Sequence, residues 1–269
     1  MKLTNYVKTK EEVNIVSQVR KKYVNEFSDF LIKEGKIGFG SIVLDIPCGT
    51  GDMSKLIKNK TNAKKFILLD INKNMINSAR EKLGKGNLFI IGDAGSVGKL
   101  VKEKVDVIIC LNGFNQYIDR KKNFLEGCKN ILKANGRLIF DVSTRGLNDR
   151  YTRDFFRLLE REIDSFARKY ESRYTPPTWP DEKLLGKYSE MILGCGLKLL
   201  KKEEFASWKT IEKDLESSIK ISGRSRPWLK GMSYKKRKEA FIESIRGVID
   251  KIGKKKLEHN RIFFVVGKY

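Results

Sequence analysis

Four cysteines in 269 residues, at positions 48, 110, 128 and 195, form no C-x-x-C pair and no even spacing. That excludes a disulfide framework and a zinc ribbon, and it suits a reducing compartment. No other spacing of metal-ligating residues is present, so no metal site is expected. No apolar run approaches the roughly 18 residues that a membrane span needs. The opening MKLTNYVKTKEEV lacks the apolar stretch of a signal peptide. The expectation is a cytoplasmic protein with no membrane partner. No Gly-Lys-Ser/Thr triplet occurs anywhere, which excludes the phosphate-clamping P-loop. Internal repeats and low-complexity tracts are also missing.

Core-forming material is plentiful. Hydrophobic residues make up 40% of the chain and aromatic residues 10%, too much for a disordered segment. The length suits one large domain or two small ones. Lys and Arg number 56 against 33 Asp and Glu, a net charge of +23. Such an excess attracts phosphate and raises the prospect of a nucleic-acid partner. Its distribution argues otherwise. Residues 1–144 carry 26 basic and 15 acidic side chains, the remainder 30 and 18, so the excess is spread evenly and forms no arm or tail. An even excess serves solubility, or attraction of a small anion, better than it serves a docking groove.

Apolar, β-branched runs recur at 41–46, 65–70, 88–91, 105–111 and 136–142. Near-continuous runs of this kind suit strands buried on both faces of a parallel sheet. Segments with helical period separate them at 52–60, 73–83, 95–102 and 119–133. Asn72 and Asp119 serve as N-caps, and Gly84 and Asn135-Gly136 as stops. An amphipathic helix over 10–34 precedes the first strand. Further helices are expected over 150–170, 181–194 and 234–252, and strands over 196–205 and 261–269, seven strands in all. The fold class is therefore α/β, a doubly wound Rossmann-like sheet. The organisation reads as an N-terminal helical segment (1–35), a ligand-binding core (36–145) and a C-terminal part (146–269). Insertions at 145–195 and 206–258 in that last part are expected to form a helical lid over the ligand-facing edge.

The ligand is read from the turn after the first strand. VLDIPCGTGDMSKL runs strand, then Gly49 and Gly51, then helix. Glycine lets the backbone approach a ligand, and the helix N-terminus offers spare N–H donors. Several nucleotide families share such a turn. Asp45 within it would repel a pyrophosphate, which favours a ligand presenting a cation there, such as an ammonium or a sulfonium. Asp70 ends the second strand 19 residues beyond Gly51, placed for the two hydroxyls of a ribose.

These residues resemble the class I S-adenosylmethionine-dependent methyltransferases, over residues 36–145 and the last strand. The first family motif matches as Asp45-Ile-Pro47-Cys48-Gly49-Thr-Gly51, with Pro47 where the family usually has its first glycine. Leu69-Asp70-Ile71-Asn72 matches the acidic end of the second strand, followed by Met75. Gly92-Asp93-Ala94 follows the third strand, VDVIICLNGFNQYID resembles the fourth motif of small-molecule members, and LKANGRLIF the approach to the fifth strand. The resemblance implies S-adenosylmethionine as cofactor. By the same implication, Asp45 and the turn hold its methionine part, with Cys48 a small filler. Asp70 binds the ribose, Ile71 packs on the adenine, Asp93 and Ala94 meet its edge, and Met75 belongs to the same cofactor-binding set. Leu111, Asn112 and Gly113 neighbour the sulfonium, and Arg20 reaches the carboxylate.

The acceptor is approached by exclusion. The Asn/Asp-Pro-Pro-Tyr/Phe motif of base-amine methylases is missing after the fourth strand, where Leu111-Asn112-Gly113-Phe114-Asn115-Gln116-Tyr117 stands instead. Phe114, Gln116 and Tyr117 are candidates for the acceptor pocket. Residues 220–238 hold eight basic side chains and no acid. Arg224 and Arg226 there, with Trp228, are candidates to clamp an anion. Tyr117 and the single histidine, His259, are the candidates for the chemical step, although an acceptor already ionised as a carboxylate needs no base. The expected activity is methyl transfer to a small, anionic molecule. An RNA methyltransferase and a non-catalytic, cofactor-binding partner subunit are the alternatives.

Overall fold

The computed structural model describes residues 9–115, 118, 120–172, 174–175, 181–212, 229 and 231–268, with Val19, Arg20 and Lys22 described in their backbone alone. The chain opens with α1 (Lys10–Gly35). Thr9 caps it in a capping box with Glu12, and Lys36 closes it in the left-handed conformation. There follow β1 (Ile42–Asp45), α2 (Asp52–Lys60), β2 (Lys65–Asp70), α3 (Lys73–Leu83) and β3 (Leu88–Ile91). A 3₁₀ turn at Ala94–Ser96 leads to the short α4 (Val97–Leu100), then β4 (Val105–Cys110), α5 (Lys121–Ile131) and β5 (Leu132–Arg145). The remainder comprises α6 (Arg150–Arg168), α7 (Glu182–Gly194), β6 (Leu197–Lys209), α8 (Tyr234–Ile252) and β7 (Leu257–Lys268).

The seven strands form one sheet in the order β3-β2-β1-β4-β5-β7-β6. β1 pairs parallel with β2 on one side and β4 on the other, and β2–β3 and β4–β5 are parallel too. The chain winds outward from β1 through β3 and then returns to place β4 against the free side of β1. That reversal opens a crevice beyond the carboxyl ends of β1 and β4, where α/β sheets bind ligands. Val43, Leu44, Phe66, Ile67, Leu68, Leu69, Ile108 and Ile109 are fully buried, as the unbroken apolar runs require.

Two compact units result. One comprises Thr9–Val142, Glu182–Glu204 and Ile262–Tyr269, and contains β1–β4 and α1–α5 together with α7. An aromatic file runs through it: Phe114 stacks on Phe140 at 4.2 Å and Phe140 on Phe264 at 4.9 Å. The other comprises Ser143–Asp181 and Phe205–Arg261. Its core joins Phe155, Leu159 and Ile163 of α6 to Ala240, Phe241 and Val248 of α8. Among the described residues no helix is long and apolar enough to cross a membrane.

Two local expectations are corrected. The helix expected over 95–102 is a 3₁₀ turn followed by a single α-turn. The helix expected to run to 133 stops at Ile131, and Asn135-Gly136 lies inside β5. Leu132 pairs with Val105 but Arg137 with Val107, so the residues between them bulge from the ladder. Gly136 suits that bulge because a Cβ would come within 2.9 Å of Leu132 Cδ2 and 3.1 Å of the Asp106 carbonyl. Asp119, read as an N-cap, lies outside the described residues.

Candidate functional site

β1 ends on Asp45, a buried carboxylate that accepts a 2.6 Å hydrogen bond from Ser54 Oγ in α2. The turn beyond it contains a cis Ile46-Pro47 bond. It is stitched to both neighbouring strands, because Ile46 N–H donates to the Ile109 carbonyl and Cys48 N–H to the Leu69 carbonyl, each at 2.9 Å. Gly51 has φ +74°, and a Cβ there would lie 2.9 Å from Ala79 Cβ and 3.0 Å from Ala79 Cα. Only glycine lets α2 start there while α3 packs so close. Gly49, also left-handed, donates its N–H to Asp70 Oδ2 at 2.9 Å, while Asn72 N–H donates to Asp70 Oδ1 at 2.9 Å. Asp70 therefore ties the β1 turn to the end of β2.

The loop after β4 closes the other side. Gly113 packs against the turn: a Cβ would stand 2.3 Å from Pro47 Cδ and 2.8 Å from Pro47 Cγ. Asn112 adopts φ +52°, a conformation that asparagine tolerates better than most residues. Its N–H donates to Asp141 Oδ1 at 2.5 Å. The same carboxylate accepts at Oδ2 from the phenol of Tyr23 in α1, at 3.1 Å. Tyr23, Asp45, Pro47, Thr50, Leu111 and Asn112 line a cleft shared with Val24, Cys48, Asp52 and Met53, enclosing about 360 Å³ counted to its open mouth. Among the described residues the lining includes two carboxylates and no ammonium or guanidinium. Lys82 offsets Asp52 by an ion pair at 2.5 Å.

Farther along the strand ends, Ile71 exposes 38% of its surface, an apolar side chain left at the rim of the crevice. Met75, in the first turn of α3, is buried. Asp93 precedes the 3₁₀ turn that Ala94 begins. Its Oδ1 accepts from Gly95 N–H at 2.7 Å, and its Oδ2 from the Arg120 guanidinium at 3.1 Å. Left-handed glycines, a carboxylate at each of the first two strand ends and an exposed apolar side chain beyond the second together fit a nucleoside bearing a cationic amino-acid tail.

Comparison with known proteins agrees with this geometry. Residues 39–170 match the model of a family described as a methyltransferase domain. A demethylmenaquinone methyltransferase of Thermotoga maritima is 35% identical over 97 residues, which are 36% of this chain and 41% of that protein. A malonyl-[acyl-carrier protein] O-methyltransferase of Halalkalibacterium halodurans is 27% identical over 216 residues, 76% of this chain and 75% of its own. The chain thus spans about two fifths of the first relative and three quarters of the other. Among solved structures, an S-adenosylmethionine-dependent methyltransferase of Thiobacillus denitrificans, crystallised with S-adenosyl-L-homocysteine, superposes with a TM-score of 0.55 at 13% identity, over 91% of each chain. Residues 39–170 carry a methyltransferase domain, and the sheet has the class I S-adenosylmethionine-dependent methyltransferase fold.

In this methyltransferase domain, Asp45, Pro47, Cys48, Gly49, Gly51, Asp70, Leu111, Asn112 and Gly113 gather around one crevice, with Ile71 at its rim. Phe114 is corrected. It is fully buried, stacked on Phe140 and edge-on to Tyr188 at 5.2 Å, so it belongs to the core and is no pocket wall. Arg20 lies on α1 with its side chain outside the described residues, as are Gln116, Tyr117, Arg224, Arg226 and Trp228 altogether. His259 falls within β7 rather than ahead of it, in the other unit, edge-on to Phe156 at 6.4 Å. Sequence reasoning missed Tyr23, Arg120 and Asp141. For Asp141 a signal existed, a carboxylate directly after the apolar run LIF, in the manner of Asp45 and Asp70. Tyr23 and Arg120 had none.

Proposed function

We propose that this chain transfers the methyl group of S-adenosylmethionine to a small, anionic molecule by in-line displacement. The observation that carries the reading is the cleft beyond β1 and β4, whose described lining contains the carboxylates of Asp45 and Asp52 and no cationic side chain. A cationic methyl donor gains there what a diphosphate would lose. When bound, the cofactor supplies an electrophilic methyl group on a sulfonium. Asp45 and the Gly49–Gly51 turn hold its amino-acid end, Asp70 accepts from the ribose hydroxyls, and Ile71 covers the adenine, with Asp93 and Ala94 at its edge. The protein contributes positioning and exclusion of water, which are the principal requirements of such a displacement.

An ionised oxygen acceptor would need no base. The relative named for O-methylation of a malonyl group supports this choice, since a malonyl group held on a carrier keeps one free carboxylate. Arg224, Arg226 and Trp228 remain the proposed clamp for that anion, with Gln116 and Tyr117 lining the acceptor pocket. The net charge of +23 favours RNA as the second reading.

Calorimetric titration tests the cofactor assignment. S-adenosylmethionine is expected to bind and NAD and ATP not to; binding of NAD or ATP in its place would overturn the reading. Asp70→Ala is expected to cost about 2 kcal/mol of cofactor binding, as charge-assisted hydrogen bonds do when lost. Asp70→Asn, which keeps an acceptor for one backbone N–H, is expected to lose less. Unchanged affinity in both variants would remove Asp70 from the site. Radiolabelled methyl transfer into a metabolite extract, against total RNA with and without nuclease, separates the two acceptor classes.

A further inference from the structure

We propose that Tyr23, oriented by Asp141, is the residue that faces the methyl group of the bound cofactor and supplies an oxygen lone pair to it. This rests on the proposed binding of S-adenosylmethionine in the cleft. A phenol has one proton, and that of Tyr23 is donated to Asp141 Oδ2 at 3.1 Å. Toward the cleft that it lines, the Tyr23 oxygen is therefore an acceptor. Hydrogen bonding to a carboxylate also enriches that oxygen in electron density, which strengthens it as an acceptor.

Its place is fixed from three sides. The two oxygens of the Asp141 carboxylate hold the Tyr23 phenol and the Asn112 N–H, so the phenol oxygen stands beside the loop proposed to neighbour the sulfonium. The Tyr23 ring packs on Phe27, one helical turn along α1, at 5.1 Å, and Phe27 packs on Phe263 of β7 at 5.0 Å. Asp141 is itself 1% exposed on β5. A rigid, electron-rich oxygen at this position suits the polarised C–H bonds of a sulfonium methyl group, each a weak donor. Tyr23 thus recognises the charged cofactor in preference to its neutral demethylated product, and Asp141 is the positioning residue that keeps the phenol in its acceptor state.

Two cofactor analogues read this directly without an acceptor substrate. Sinefungin has a carbon bearing a primary amine where the methylated sulfur would be, and S-adenosylhomocysteine has nothing beyond its sulfur. Calorimetry of both against wild type, Tyr23→Phe and Asp141→Asn measures their ratio of affinities. Tyr23→Phe is expected to weaken sinefungin about tenfold and S-adenosylhomocysteine less than about twofold. Asp141→Asn places an N–H donor opposite the phenol or loosens it, and is expected to erode the same ratio. If Tyr23→Phe shifts both ligands equally, or neither, the inference is overturned while the cofactor reading stands. If wild type binds neither analogue, both fall together. Thermal denaturation of Tyr23→Phe, which retains the ring contacts, is expected to stay close to wild type, so the change in ratio is not a folding effect.

Discussion

Gly113 and Phe114 are adjacent and answer opposite demands. At 113 a single Cβ would overlap the Pro47 ring, so Gly113→Ala must displace either the turn or the loop. Overpacking of this kind costs about 1–3 kcal/mol. The strain falls on the cleft itself, so cofactor affinity is expected to drop together with the denaturation midpoint. At 114 the ring fills a fully enclosed space among Phe124, Phe140 and Tyr188. Phe114→Ala is expected to cost about 3–5 kcal/mol of stability, read by urea denaturation, and Phe114→Leu markedly less. A residue in an acceptor pocket would behave differently, with ligand affinity falling and stability unmoved. That outcome would return Phe114 to the substrate site.

At the scale of elements, one carboxylate gathers three helices. Asp52, in the first turn of α2, accepts from Ser17 Oγ of α1 at 2.7 Å, from Thr50 Oγ1 at 2.6 Å and from Lys82 Nζ of α3 at 2.5 Å. Burial alone would raise its pKa. The hydrogen bonds from Lys82, Thr50 and Ser17, with the charge of Lys82, outweigh burial, and the carboxyl lies below its ordinary value of 3.8. A group held lower in the folded state than in the unfolded state stabilises the fold above its unfolded pKa, and that contribution is lost as pH falls through the folded one. The stability difference between wild type and Asp52→Ala is therefore expected to be full at neutral pH and to shrink below about pH 4. Denaturation midpoints across a pH series measure it, and a difference that grew in acid would contradict the sign. Because α1 carries Tyr23, loosening this clamp is also expected to loosen the cleft.

Elements were legible wherever the signal was local. The helices at 52–60, 73–83 and 234–252 coincide with α2, α3 and α8 because apolar periodicity and end signals agree there. The bulge at Asn135-Gly136 was not legible, since the same dipeptide serves a helix stop or a strand bulge and only pairing with β4 decides between them. The site divides in the same way. Asp45, Gly49, Gly51 and Asp70 stand in a compact motif. Tyr23 and Asp141 are 118 residues apart and meet only because α1 packs beside the end of β5. Nothing in the neighbourhood of Tyr23 along the chain distinguishes it from any other amphipathic-helix tyrosine.

For the whole molecule the unresolved tension lies between the charge of the surface and the charge of the cleft. The chain has a net charge of +23, while the described lining of the cleft contains carboxylates and no cation. The two can serve different partners. Evenly spread lysines attract polyanions through counterion release, which collapses as salt rises, whereas contacts inside a partly closed cleft are screened far less. Non-specific RNA is therefore expected to be retained at about 50 mM salt and largely released by about 200 mM. Titration with S-adenosylhomocysteine over the same range is expected to change little. Methyl label is expected to enter the small-molecule fraction at both salt concentrations and to stay out of RNA even where RNA binds. Nuclease-sensitive label persisting at 200 mM would instead mean that the surface charge serves the substrate, and the RNA reading would then displace the small-molecule one.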